Sequence, residues 1–155
     1  MDDIDRKILL HLQNDASLQL GELAKRVNLS KTPCWRRIQK MEKSGTIRRR
    51  VVLVDPRKVG QGLTVFVHVK TNKHNAGWLK DFARTVAAFP EVMEFYRLSG
   101  EWDYFIRVIV PDVEAYDLFY KKLIDSADLV DVTSSFAMEE IKYSTAVPVI
   151  RDLEH

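Results

Sequence analysis

Between residues 20 and 46 the apolar positions fall into two short helical repeats separated by a break. Leu23, Ala24 and Val27 share one helical face while Glu22, Lys25 and Arg26 lie off it. Asn28, one of the few non-glycine residues that tolerates a positive φ, follows, and Leu29 is placed to plug back toward the first helix. Ser30 then supplies an N-cap, Pro33 falls in the first turn where a missing N–H is harmless, and Cys34, Ile38 and Met41 repeat as i, i+4, i+7 up to a stop at Gly45. Upstream, Asp2 and Asp3 favour a helix start, Ile4, Ile8, Leu9 and Leu12 form one face, and Asn14-Asp15 closes the segment. The pattern predicts three helices, the second pair a helix-turn-helix, in a unit near the lower size limit for a self-sufficient core.

Downstream the period changes. Ile47, Val51, Val52 and Val54 predict a strand or small wing that ends at Asp55-Pro56. Residues 57–62, with Gly60 and Gly62 and no hydrophobic pattern, read as a hinge. Strand signals at 63–69, 92–98, 104–110 and 131–141 then alternate with helical stripes at 76–89 and from Asp112 onward, in the order β-α-β-β-α-β. The predicted class is α+β: a winged helix-turn-helix domain (residues 1–56), the hinge, and a ferredoxin-like βαββαβ domain (63–149), followed by a tail at 150–155 whose Leu-Glu-His end looks like the start of an expression tag. Strands such as FYRLS and YFIRVIV put apolar side chains on both faces, so the sheet face away from the helices also needs a cover, and self-association is the economical one.

Charge sharpens this division. The whole chain carries +2, but residues 1–60 hold 14 Lys and Arg against 7 Asp and Glu, about +7, whereas the remainder holds 10 against 15, about −5. A basic half that contains the two-helix stretch is the electrostatic footprint of a nucleic-acid binder. Lys31, Thr32, Arg36, Arg37, Gln39, Lys40 and Lys43 lie off the apolar stripe of the second helix, long enough to reach phosphates and base edges from a major groove. Arg48, Arg49 and Arg50 on the following strand suit the DNA backbone, with a solvated strand start as the plain alternative.

Several classes recede. With 46% hydrophobic and 30% charged residues, no run of 18 apolar residues and an acidic, polar start, the chain reads as a globular cytoplasmic protein that makes no use of a membrane. One cysteine excludes an intrachain disulfide or multi-cysteine metal site, and His11, His68, His74 and His155 show no ligand spacing, so no metal or cofactor is expected. Cys34 reads as a small buried residue rather than a redox sensor, Trp35 as core packing rather than a phosphate clamp, and His68 as structural. No nucleophile with a base, paired carboxylates or metal cluster supports an enzyme.

With those residues in view, the chain to about Val149 resembles the Lrp/AsnC family of leucine-responsive, "feast or famine" bacterial and archaeal regulators. The resemblance rests on Asp2, Asp5, Ile8 and Leu9; on Leu23-Ala24, Val27, Leu29-Ser30, Arg37-Ile38, Glu42 and Gly45; and on the turn Gly100-Glu101-Trp102-Asp103-Tyr104. Asn28 stands where Gly is common in that family, Met41 where Leu is, and Pro33-Cys34 where Thr-Val is frequent. Within the family, EWDY and DVTSSFAMEEIKY look nearest to the cysteine-responsive bacterial regulators. The resemblance implies dimers paired through the second domain, higher even-numbered assemblies, a small amino acid bound between dimers near the Gly100–Tyr104 turn, and an intradomain ion pair as an alternative role for Arg37; Ser134 and Ser135 of the last strand, from the same or a neighbouring subunit, are expected close to that ligand. From the residues alone Asp103 is a turn stabiliser; the resemblance turns it into a ligand contact. The expected function is a nucleoid-associated transcription regulator that binds double-stranded DNA and responds to an amino acid, the alternative being an effector-independent architectural DNA-binding protein.

Overall fold

The computed structural model describes residues 1–73 and 75–149; His74 and the expected tail at 150–155 lie outside the described residues. The described chain forms two compact units, residues 1–53 with residues 141–149, and residues 54–140.

The first unit contains α1 (Asp3–Asn14), α2 (Leu20–Arg26) and α3 (Lys31–Lys43). Asp2 caps α1 through a capping box: its carboxylate accepts from the Asp5 amide at 2.9 Å, and its own amide donates to Asp5 Oδ2 at 3.3 Å. Asn28 takes φ 55° and the Leu29 amide donates to the Ala24 carbonyl at 2.8 Å, so the chain turns from α2 into α3 over residues 27–30. Ser30 occupies the N-cap position of α3, but without a side-chain cap hydrogen bond. Gly45, at φ 77°, ends α3, and the Ile47 amide returns to the Met41 carbonyl at 3.0 Å. The predicted stripes meet in one core of Ile8, Leu9, Leu23, Ala24, Val27, Cys34, Ile38 and Met41.

Two features of this unit differ from the sequence reading. Residues 48–55 form no strand; Val51, Val52, Leu53 and Val54 are exposed, because β-branched residues favour an extended chain but a strand needs a hydrogen-bonded partner, and none pairs with them among the described residues. Residues 141–149, expected in the second domain, pack with the helices instead. The Gln13 carboxamide clamps Val147, donating to its carbonyl at 3.0 Å and accepting from its amide at 2.7 Å, while Val149 lies on the helical core.

In the second unit the hinge is partly ordered. Pro56–Val59 is a single 3-10 turn capped by Asp55, and Gly60 takes φ 79°. The unit then runs β1 (Leu63–Lys70), α4 (Ala76–Ala87), β2 (Val92–Arg97), β3 (Tyr104–Val110), α5 (Val113–Ser126) and β4 (Asp131–Phe136). Its antiparallel sheet has the order β2-β3-β1-β4, as the βαββαβ order predicts. Val65, Val67 and Val69 of β1 and Tyr104, Ile106, Val108 and Val110 of β3 point to one face, where Phe82 and Val86 of α4 and Tyr116, Phe119 and Leu123 of α5 cover them. Asn75 and Asp112 cap the two helices, each accepting from the backbone three residues on at 2.8 Å.

The opposite face carries Phe66, His68, Tyr96, Phe105 and Arg107. Phe66 stacks on Phe105 at 5.9 Å, His68 meets the edge of Phe105 at 5.3 Å, and Arg107 pairs with Glu94 at 2.7 Å. No helix covers this face within its unit, and Tyr96 is half exposed. It is the two-faced sheet that the alternation predicted.

Candidate DNA interface and ligand site

Helix α3 turns Cys34, Ile38 and Met41 inward and leaves Lys31, Thr32, Trp35, Arg36, Lys40 and Lys43 exposed. Burial pushes the Cys34 thiol above its ordinary pKa, the reverse of what a reactive thiolate needs. Arg36 and Lys40 border an open cleft with Met1, Asp2, Asp5, Pro33 and Arg37. The stem of Lys31 lies over Gly21 of α2, where an added Cβ would come within 2.9 Å of it.

Arg37 is placed differently from Arg36. Its guanidinium donates to Asp2 Oδ2 at 2.6 Å and Asp5 Oδ1 at 2.7 Å, binding α3 to the capped start of α1. The hydrogen bonds to Asp5 and Asp2 hold Arg37 above its ordinary pKa, and the Asp5 amide, followed by Arg37, holds Asp2 below the usual carboxylate range. Asp2 therefore contributes to this clamp throughout the neutral range and loses it only as pH falls through its lowered pKa. The intradomain role considered for Arg37 is the one observed. Of the three arginines at 48–50, Arg50 donates to Glu42 at 3.3 Å, while all three remain exposed on a non-regular segment rather than on a strand.

Trp35 was expected in the core. It is instead 51% exposed, outside the Cys34–Ile38–Met41 stripe. Its position one residue after Cys34, about 100° around the helix, is the sequence signal that places it off the core.

In the second unit the expected ligand turn joins β2 to β3. Gly100 takes φ 129°, a conformation that L side chains rarely adopt, and an added Cβ would meet open space. The Leu98 amide donates to the Asp103 carbonyl at 2.8 Å and the Asp103 amide to the Val69 carbonyl at 3.0 Å. The Asp103 carboxylate accepts from the Thr71 amide at 2.8 Å. The Asp103 side chain therefore fixes the end of β1, while its carbonyl closes the turn. Lys70 sits 5.1 Å over the Trp102 ring and 3.7 Å from Glu101, and His68 lies 5.7 Å from Trp102. The turn thus presents an aromatic ring, an acid and a cation beside exposed backbone.

Three expected members of that site lie elsewhere within the unit. Tyr104 is buried on the helix side at 5.2 Å from Phe82, because it begins the inward register of β3, and burial raises its pKa. Ser134 pairs in register with Val67 and shares a hydrogen bond with the Tyr116 hydroxyl under α5. Ser135 pairs with Phe66 on the opposite face. Both serines are on β4, which β1 separates from β3. Among the described residues no group of His, Cys, Asp or Glu is arranged to hold a metal ion, and no helix is long and apolar enough to cross a membrane.

A helix-turn-helix with a cationic second helix, followed by a ferredoxin-like domain, defines a DNA-binding regulator with a ligand-binding module. Residues 1–48 match the winged helix-turn-helix DNA-binding family and residues 64–147 match the Lrp/AsnC ligand binding domain. The Escherichia coli DNA-binding transcriptional activator DecR is 50% identical over 96% of this chain and 99% of its own length. A crystal structure of an AsnC family transcriptional regulator from Agrobacterium tumefaciens, 58% identical, superposes with a TM-score of 0.93 over 96% of this chain and 97% of that one. A Neisseria meningitidis transcriptional regulator in complex with L-Met, 36% identical, gives 0.91 over 96% of each chain. The chain belongs to the Lrp/AsnC family of DNA-binding transcription regulators, which sets it among regulators rather than enzymes.

Proposed function

We propose that this regulator binds double-stranded DNA as a dimer, inserts α3 into the major groove, and changes its DNA affinity or assembly when a small amino acid binds the second domain. The observation that carries the reading is the exposed cationic face of α3 opposite its buried stripe. Thr32, Arg36, Lys40 and Lys43 face the groove, Lys31 stands at its entry, and Arg48, Arg49 and Arg50 follow the backbone. Arg37 orients α3 through Asp2 and Asp5 instead of touching DNA. Paired α3 helices suit half-sites about one helical turn (34–36 Å) apart or a multiple of it. Such a protein works in the cytoplasm on the nucleoid.

The effector reading rests on the turn at Gly100–Asp103. Exposed amides around Gly100 suit a carboxylate, while Glu101 or Asp103 suits an ammonium group, and Trp102 limits the side-chain space. The L-Met complex of the Neisseria relative supports a free amino acid as the ligand class. Within one protomer Ser134 and Ser135 stand apart from this turn, so their part in the site requires a neighbouring subunit.

Replacing Arg36 with Ala tests the DNA interface. A base-reading role costs about 1–3 kcal/mol and relaxes preference at one position; a phosphate role weakens all sequences alike and reduces the salt slope by about one unit. Unchanged affinity at physiological salt, with the fold retained, removes α3 as the reader.

A further inference from the structure

Trp35 stands half exposed on α3. It lies outside the helical core, and no ring stacking or cation–π partner accompanies it among the described residues. Its place on α3 is defined by spacing: Thr32, Trp35, Arg36, Gln39 and Lys43 run i, i+3, i+4, i+7, i+11 along the side away from Cys34, Ile38 and Met41. Trp35, Arg36, Gln39, Lys40, Lys43 and Ser44 line an open cleft there. On that flank Gln39 is already engaged, donating to Glu42 at 2.8 Å. Trp35 is therefore the largest side chain projecting from the flank.

The surroundings select the occupant. An apolar surface ringed by Arg36, Lys40 and Lys43 suits an apolar protein partner poorly, since those cations would have to lose their water without gaining a counter-charge. Duplex DNA supplies both requirements at once. Phosphates meet the cations, and the major groove offers one apolar group on the base edges, the C5 methyl of thymine. Base faces are stacked away inside a duplex, so the indole meets a base edge rather than a ring face.

We propose that Trp35 is a specificity-determining residue whose indole packs on a thymine methyl in each half-site. The proposal rests on the reading of α3 as the DNA-binding helix and names one base that it selects.

The test begins with a duplex selected from a randomised pool by the parent protein, whose thymines are then replaced one at a time by deoxyuridine, which deletes only the methyl. The parent is expected to lose about four-fold in affinity at one thymine per half-site, the effect of burying one methyl-sized group. Trp35→Ala binds the selected duplex more weakly and becomes indifferent to the uracil at that position, while Trp35→Phe keeps part of the discrimination. Thermal midpoints of both variants match the parent, because the side chain lies outside the core. A uracil penalty that persists in Trp35→Ala, or a loss spread equally over all sequences, overturns the proposal. Arg36→Ala separates the two levels: if it weakens binding while the uracil penalty survives loss of Trp35, only the thymine contact fails. If neither variant changes binding, α3 is not the reader and both readings fall.

Discussion

Phe105→Glu yields a monomer that binds operator DNA at least about 10²-fold more weakly than the parent. Phe105 stands at the centre of the uncovered sheet face, 5.9 Å from Phe66, 5.3 Å from His68 and 6.3 Å from Tyr96. In the proposed dimer this carboxylate would be buried between two sheet faces whose Arg107 is already paired with Glu94, so the two copies separate. Loss of the second reading helix then removes the gain from linked sites, which is on the order of 10²–10⁴. The folded protomer survives, because Phe105 faces away from the core of Val67, Ile106 and Phe119. Light scattering and DNA titration on the same samples check both halves of the prediction. A parent protein that is already monomeric at micromolar concentration contradicts the dimer.

Phe82→Ala destabilises the second unit by about 3–5 kcal/mol, the usual range for emptying a large aromatic site in a core. Phe82 is 2% exposed on α4, stacked on Trp78 at 4.9 Å, and edge-on to Tyr104 at 5.2 Å and Phe95 at 5.7 Å. A single helix position therefore joins α4 to two neighbouring strands, and the neighbouring rings are too large to close the gap. Denaturant unfolding followed by tryptophan fluorescence reports the loss. A change below about 1 kcal/mol would show that α4 does not hold the sheet in this way.

Periodicity carried the fold because both units bury one face of each element. The stripes Ile4–Leu12, Leu23–Val27 and Cys34–Met41 each became a helix face in one core, and the alternation in residues 63–69 and 104–110 became the inward register of β1 and β3. Pattern failed where structure depends on a partner distant in sequence. The β-branched run at 51–54 has strand chemistry but no strand beside it within its unit, and the Gln13–Val147 clamp joins residues 134 positions apart. The exposed cations Arg36 and Lys40 were legible as residues off the stripe. Arg37 was not separable from them by residue type; the family resemblance supplied its ion-pair alternative, and the folded arrangement identifies Asp2 and Asp5 as the partners. Strand parity could have set Ser134 and Ser135 on opposite faces, but the strand order was needed to see that β1 stands between them and β3.

Fluorescence anisotropy of a labelled duplex, selected by the parent protein and titrated with and without amino acid, reaches the central claim most directly. A thermal-shift screen of the twenty amino acids first identifies the ligand, since one that binds only the folded state raises the midpoint. Saturating ligand is then expected to change DNA affinity by about 5-fold or more, the ordinary size of coupling between two sites. Asp103→Asn keeps an acceptor for the Thr71 amide but loses the charge, so it should weaken or abolish the response while leaving ligand-free DNA binding at the parent's level. Superimposable curves for the parent with and without every amino acid would contradict the account and leave an effector-independent architectural DNA-binding protein.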